Sequence, residues 1–253
     1  MSFERLARLN GRVAVIAGGT GTIGMATARC MAQLGATVVL LARRNEQQFA
    51  EVLAEIPGSG HYGVHASITD SALLRAAAEA VRDHSGRCDI LVNSAGFTKP
   101  VPAADLEGLS DALIDEMMAV NFRGVFATIR AFVPLLKATG DAVIVNVSSI
   151  AGFTGVGSNL AYAAAKAAMD LVSDSLAKVL APEVRIMTVS PGVVDTSFVP
   201  GRGPDFNVKA AATIPLKRIG TAEDVAVAIE ACITQLRFAT GHRVVVDGGR
   251  HLR

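Results

Sequence analysis

The sequence predicts one α/β domain built on a doubly wound parallel sheet. Two observations point there: short runs of Val, Ile and Leu recur along the chain, and amphipathic stretches of helical length separate them. The third is composition. Of 253 residues, 51% are hydrophobic and 19% charged, enough apolar surface for burial to offset the entropy of ordering. No linker, repeat or low-complexity tract divides the chain, so residues 1–253 are expected to form one unit.

The elements follow in order. Val13–Ala17 is apolar throughout, as a strand covered on both faces must be, and an Ala-rich helix over Ile23–Leu34 follows it. Thr37–Leu41 is the second strand, Glu46–Ile56 the second helix, and a weaker strand is expected around Gly60–Val64. Ser71–His84 reads as helix, Ile90–Asn93 as strand, Asp105–Lys137 as one long helix and Ala142–Val147 as strand. Leu160–Leu180 and Ala222–Gln235 are helical, and Arg185–Val189 and Arg243–Val246 complete the strands. Val193–Asn207, rich in Pro and Gly, reads as loop, and 193–214 is the expected substrate loop. Strand–helix alternation of this kind implies right-handed crossovers, and ligands then bind beyond the carboxyl ends of the strands.

Charge excludes several partners. Twenty-four Lys and Arg against 23 Asp and Glu leave +1, which gives no electrostatic case for nucleic acid or an anionic membrane surface. Aromatics are 5% with no Trp, so a base-stacking platform is not expected. Mean hydropathy is +0.40, yet the longest uncharged stretch, Ala142–Ala165, carries Asn146, Ser148, Ser149, Ser158, Asn159 and three glycines, too polar to span a bilayer. The N-terminal MSFERLARLNGR lacks the apolar run of a secretory leader. Cys30, Cys88 and Cys232 are too scattered for a disulfide framework or zinc site and read as packing thiols. A cytoplasmic protein is expected.

After the first strand comes Ala17-Gly18-Gly19-Thr20-Gly21-Thr22-Ile23-Gly24. Glycines there let the chain turn tightly and bring backbone N–H groups and a helix N-terminus against a pyrophosphate. An ordinary strand-to-helix turn is the plainer reading of a lone glycine cluster; its place after the first strand of a βαβ unit favours a dinucleotide. The second strand ends in Ala42-Arg43-Arg44. An acid there would accept hydrogen bonds from ribose hydroxyls and favour NAD(H). Two arginines can instead pair with a ribose 2′-phosphate, so NADP(H) is preferred and NAD(H) remains possible. The alternative is a solvated basic helix start.

Ile144–Ser149 places Ser148 and Ser149 at the end of a buried strand, on the ligand side. Thirteen residues later comes Tyr162-Ala-Ala-Ala-Lys166. Positions i and i+4 share a helix face, so an ammonium is expected beside the phenol, lowering a pKa that is ordinarily near 10. Either residue alone reads as a surface side chain; their co-occurrence with Ser149 downstream of a glycine turn points to proton transfer.

Taken together, the sequence resembles the short-chain dehydrogenase/reductase family over essentially its whole length. The matches are the turn at 17–24, Asn93-Ser-Ala-Gly96, Asn121 in AVNFRG, Ser149, Tyr162-xxx-Lys166, Ser190-Pro-Gly192 with Thr196, and Val246-Asp-Gly-Gly249. The resemblance implies a single Rossmann domain with a seven-stranded parallel sheet, helices on both faces, and hydride transfer between a nicotinamide and a carbonyl or secondary alcohol. It makes Tyr162 the general acid/base, has Lys166 hold the nicotinamide ribose and lower the phenol pKa, gives Ser149 the substrate oxygen, and has Asn121 anchor a water in a proton relay. It places the cofactor against Gly18, Thr20, Gly21, Thr22, Ile23, Gly24, Arg43, Arg44, Ser67, Ile68, Asn93, Ala95, Gly96, Pro191, Gly192, Val194 and Thr196, together with Tyr162 and Lys166. A homotetramer or homodimer is implied, and the small-residue face of Ala161, Ala164, Ala165 and Ala168 agrees with helix packing between subunits, although that face can also pack on its own sheet.

The chain departs from the family pattern at three places: Thr22 replaces a common glycine, Ser94 a second Asn, and Ser67 an Asp that contacts adenine. His61 and His65 stand about 13 Å apart along a strand, too far to share one ion, so no metal is expected. Phe198, Val199 and Phe206, with Phe97 and Phe153 flanking, suggest an apolar substrate wall. A 3-oxoacyl-carrier-protein reductase, a sugar or polyol dehydrogenase and a non-catalytic NADP sensor remain open; intact catalytic positions argue against the last.

Overall fold

The computed structural model describes residues 9–252, so the reading of the N-terminus as leaderless falls largely outside the described residues. Seven strands form one all-parallel sheet: β1 Val13–Ala17, β2 Thr37–Ala42, β3 Tyr62–His65, β4 Ile90–Asn93, β5 Ala142–Val147, β6 Val184–Pro191 and β7 His242–Val246. Their spatial order is β3-β2-β1-β4-β5-β6-β7. Strand order reverses between β1 and β4, which opens a crevice above their carboxyl ends. The predicted single Rossmann-like domain is observed.

Helices cover both faces. α1 (Thr22–Gln33), α2 (Glu46–Leu53) and α9 (Ala222–Thr234) pack Met31, Phe49, Ile229 and Cys232 against one face. On the other, α3 (Ser71–Ser85), α5 (Val125–Thr139) and α7 (Leu160–Leu180) bury Leu74, Phe132 and Met169. Caps in the sequence set the helix starts: Asn45 with Gln48 and Thr221 with Asp224 form reciprocal capping boxes, and Asp70 accepts from Ala72 N and Leu73 N. Gly86 and Gly140, in the left-handed conformation, end α3 and α5.

Four details differ from expectation. The third strand lies at 62–65 rather than 60–64, with His61 Nδ1 accepting from Val38 N at 3.1 Å just before it. The long helix begins at α4 (Asp111–Met118) and widens into a π-helical turn, Ala119–Gly124, before α5. A four-residue helix, α6 (Ala151–Thr154), follows β5. A further helix, α8 (Phe206–Thr213), stands in the stretch expected as substrate loop. Hydrophobic period locates helices but does not register a one-residue insertion of the π type. The continuous run Asp111–Thr139 is, among the described residues, long and apolar enough to cross a membrane. Its Leu113, Met117, Ile129 and Phe132 are buried in the protein core, which accounts for that apolarity.

The strand ends away from the crevice are held by Asp89, which is fully buried. Its Oδ2 accepts from Val13 N at 2.9 Å and Arg87 Nε at 2.8 Å, and its Oδ1 from Arg87 Nη2 at 2.6 Å. This clamp sets β1 against β4, the pair that flanks the crevice. Asp89→Ala leaves the Val13 N–H buried without a partner and is expected to cost about 1–3 kcal/mol. Urea denaturation measures it, and an unshifted midpoint would contradict the clamp.

Candidate active site

Above the carboxyl ends of the strands lies one large cavity of about 1410 Å³. Gly18, Thr20, Gly21, Thr22, Ile23, Arg43, Ser67, Ile68, Ala95 and Gly96 line one part of it. Ser149, Tyr162, Lys166, Pro191, Gly192, Val194 and Thr196 line the rest. Most residues singled out in the sequence therefore meet on one surface, though they come from seven separate stretches of chain.

The glycine turn fits the phosphates of a dinucleotide. A Cβ on Gly18 would meet Ala95 Cα at 2.6 Å, and one on Gly24 would meet Gly18 O at 2.3 Å, so both glycines are required by close backbone approach. Gly24 serves this purpose beneath the cavity rather than in its wall. Gly21 is the extended N-cap of α1, and no side chain caps the helix. No acid stands in its first turn, so its free N–H groups and the positive end of the dipole face the cavity. Thr22, in place of the common glycine, is exposed and tolerated as the first residue of α1.

Tyr162 is placed by its helix cap. Asn159 Oδ1 accepts from Tyr162 N at 2.6 Å, and Asn159 Nδ2 donates to Lys99 O at 2.8 Å, fixing the start of α7. One turn on, the buried Lys166 donates from Nζ to Val147 O at 2.8 Å, and its Nζ stands 5.8 Å from the Tyr162 ring centroid. The expected lowering of the phenol pKa is corrected here: burial pushes Tyr162 up to about 12, while Ser149 pulls it down and Asp170 pushes it further up. Desolvation outweighs the hydrogen bond from Ser149, and the ammonium is turned toward a strand carbonyl. Burial also pulls Lys166 down to about 8, opposed by Asp170.

Four of the expected residues lie outside the cavity wall. Asn93 is buried beneath it, donating from Nδ2 to Asn146 Oδ1 at 2.8 Å; Asn146 Nδ2 in turn donates to Ser173 Oγ at 2.8 Å. Asn121 is fully buried in the π-helical turn, where Nδ2 donates to Phe97 O and Met117 O and Oδ1 accepts from Phe97 N. Its amide is thus committed to backbone. The Arg44 guanidinium is not in the wall, although its carbonyl is bound by His65 Nδ1. Gly24 is the fourth. Phe97, Phe198, Val199 and Phe206 do line the cavity, whereas Phe153 stacks under Arg243 at 5.0 Å instead. Ala161 and Ala165 are buried within the chain, so only Ala164 and Ala168 of the small-residue face look outward.

Asp170 was not singled out by its sequence context, although the i+4 step from Lys166 puts it on the same helix face. It is buried, its Oδ2 stands 2.9 Å from Arg243 Nη2, and Ser148 approaches it. Burial raises its pKa, against the lowering effects of Ser148, Arg243 and Lys166. A line of alternating charge, Arg243–Asp170–Lys166, thus runs from the edge strand to the cavity.

The family model described as enoyl-(acyl carrier protein) reductase matches residues 18–251. The chain belongs to the short-chain dehydrogenase/reductase family. Among relatives, 3-oxoacyl-[acyl-carrier-protein] reductase FabG of Thermotoga maritima is 32% identical over 246 residues, covering 96% of this chain and 98% of the relative. The 2,5-dichloro-2,5-cyclohexadiene-1,4-diol dehydrogenase LinX of Sphingobium indicum is 32% identical over 248 residues, covering 96% and 97%. Among solved structures, a short-chain glucose/ribitol dehydrogenase from Brucella melitensis superposes with a TM-score of 0.89 at 27% identity, covering 98% of this chain and 99% of that one. As a member of this family, the protein is an oxidoreductase acting on carbonyl or alcohol groups with NAD(P).

For such an oxidoreductase the buried lysine sets an alkaline limit. Its lowered pKa means that Lys166 carries charge below about pH 8 and loses it above. kcat/KM for carbonyl reduction is expected to hold on the acid side and fall through about pH 8. Asp170 opposes that deprotonation, so Asp170→Asn moves the falling limb to lower pH. A pH–rate profile with the limb unmoved would detach Asp170 from the site.

Proposed function

We propose that this chain is a carbonyl reductase that prefers NADP(H), with Tyr162 as its general acid. The observation that carries this is the meeting of Ser149, Tyr162 and Lys166 in one cavity wall with an uncapped helix start. When bound there, a nicotinamide dinucleotide supplies the hydride. The rest falls to side chains. Ser149 Oγ donates to the substrate oxygen and holds it as negative charge develops, an oxyanion-type role. Tyr162 Oη gives that oxygen its proton; a phenol protonated at neutral pH is the form that can donate it. Lys166 keeps a positive charge behind the phenol; Asp170 favours the protonated lysine, and Arg243 favours the ionised form of Asp170. Asn121 is proposed to act by holding the Phe97 segment over the site, with its backbone turn as the place for a relay water.

Cofactor preference rests on Arg43. It stands in the cavity wall directly after Ala42, the last residue of β2, where no carboxylate would repel a 2′-phosphate. Ser67 and Ile68 border the adenine side. Substrates are proposed to carry an apolar portion, supported by the Phe97, Phe198 and Val199 wall. FabG of T. maritima, by its name, reduces a 3-oxoacyl group, a chemistry this wall suits. A homodimer or homotetramer and a cytoplasmic location complete the reading. Phe126 on α5 and Leu171 on α7, both exposed, support the first, and three free thiols support the second.

Two measurements test it. Tyr162→Phe is expected to lower kcat by about 10²–10⁴, the usual worth of a general acid, with NADPH affinity nearly intact; retention of a tenth of the activity would remove Tyr162 from the chemistry. Arg43→Ala is expected to weaken NADPH by about 1.5–3 kcal/mol, the worth of a hydrogen bond to a charged group, and to leave NADH within a small factor. Fluorescence titration of both dinucleotides reads it, and equal dissociation constants in the unaltered protein would rule the preference out.

A further inference from the structure

The cavity is lopsided in charge. Among the described residues, Arg43, Lys166, Arg202 and Arg250 line it, with His251, against one carboxylate, Glu116. Arg43 stands beyond β2 and Lys166 belongs to the reacting centre; Arg202 and Arg250 have no part in either. They come from the loop after β6 and the turn after β7. By the strand order, β2 and β7 are five spacings apart, about 24 Å. The two arginines therefore occupy the opposite end of the cavity from Arg43, and the reacting groups lie between.

As they stand, these guanidiniums are poorly compensated. Arg202 is half-buried, its Nε is buried without a hydrogen-bond partner, and its Nη1 reaches Val194 O at only 3.3 Å. Its Cζ lies over the Phe206 ring, 4.3 Å from the centroid. Arg250 Nη1 donates to Thr213 Oγ1 at 2.8 Å. Among the described residues, neither has a carboxylate oxygen within 4.0 Å. Burial lowers the Arg202 pKa, Asp195 raises it and Arg250 lowers it, so the two arginines feel each other's charge. Asp195 is itself held by Asn207 Nδ2 at 3.0 Å. His251 Nδ1 lies 2.8 Å from Asp247 Oδ2 and so is engaged elsewhere. Partly desolvated cations whose nearest described carboxylates stand beyond ion-pair distance are costly, and an anion between them reduces that cost.

Resting on the reductase reading above, we propose that Arg202 and Arg250 form an anion subsite selecting carbonyl substrates that carry a carboxylate or phosphate. Phe198, whose ring centroid is 6.0 Å from that of Tyr162, and Phe206 form the apolar span between the two ends. A guanidinium is a planar fork of donors, and such a fork can take two anionic oxygens at once. The substrate is thus an oxo compound with an apolar middle and an anionic end. This also explains why the substrate segment, apolar in its aromatics, spends an arginine inside the wall.

The test compares acids with their neutral counterparts. Linear oxo acids from acetoacetate and levulinate upward are assayed against their methyl esters, and acetol phosphate against acetol, with NADPH and with NADH. At least one anion is expected to exceed its neutral counterpart at least tenfold in kcat/KM, through KM. The favoured arm tells carboxylate from phosphate. Arg202→Ala and Arg250→Ala are expected to bring that ratio near one, and Arg202→Lys to restore part of it. A ratio is insensitive to general loss of fold or rate. Neutral compounds preferred throughout, or a preference that survives both substitutions, overturns the subsite. Should no compound turn over, the reductase reading fails instead, and binding decides the subsite. Pimelate and inorganic phosphate are then titrated calorimetrically onto the unaltered chain and Arg202→Ala. Tenfold weaker binding of either in the variant upholds the subsite, and equal or undetectable binding in both overturns it.

Discussion

The contact between Lys166 Nζ and Val147 O, 2.8 Å long and wholly buried, joins the two elements on which the site depends. Val147 is the last residue of β5, an interior strand of the sheet; Lys166 lies two turns into α7. A buried ammonium is tolerated only where its hydrogen bonds and counter-charge are met, and the strand end supplies an acceptor that no side-chain substitution can remove. Asp170 supplies the counter-charge from the same helix face, and Arg243 on the edge strand holds Asp170 at 2.9 Å. The ion pair and the carbonyl together fix α7 over β5, and that fixes where Tyr162 stands relative to Ser149. Sheet, helix and reacting groups are thus coupled through one lysine.

The fold was legible because its signals are local. Buried parallel strands are apolar on both faces, and β1, β4 and β5 are buried at every position, so their runs could be read directly. β3 was read less well: it sits at the sheet edge, is only half-buried, and carries Gly63 against the Phe49 ring, which leaves little hydrophobic signal. The π-helical turn escaped for a different reason. A single extra residue shifts the apolar period without breaking it, and only the three-way bonding of Asn121 to Met117 and Phe97 shows why it is there.

The site was legible as a set of residue types and less so as geometry. Spacing put Tyr162 and Lys166 on one face, and they are there; it also suggested that the ammonium serves the phenol directly, whereas it reaches Val147 O. That difference is one of tertiary partners, since i+4 spacing cannot say what stands opposite. Asn93 illustrates the same limit. A strand-end asparagine beside a cavity reads as a ligand-facing group, but β4 is central and the side chain meets Asn146 on β5 in register. The Asn93–Asn146–Ser173 chain braces the floor that Ser94, Ala95 and Gly96 line from above.

Net charge, finally, is an average that conceals the arrangement of its parts. A balance of +1 excludes broad attraction to a polyanion, and nothing in the fold reverses that. The same chain concentrates cations where its ligands sit. Arg12, Arg87 and Arg237 are matched by Asp89 and Asp141 at the far ends of the strands, so these two acids hold the sheet together away from the crevice. The cavity keeps arginines at both ends and one lysine between. Low dielectric walls strengthen the field of such groups, and a ligand with negative charge at both ends meets it along its whole length. Charge segregation of this kind divides the molecule into a stabilising pole and a binding pole along the strand axis, and the parallel sheet makes it possible by presenting all carboxyl ends on one side.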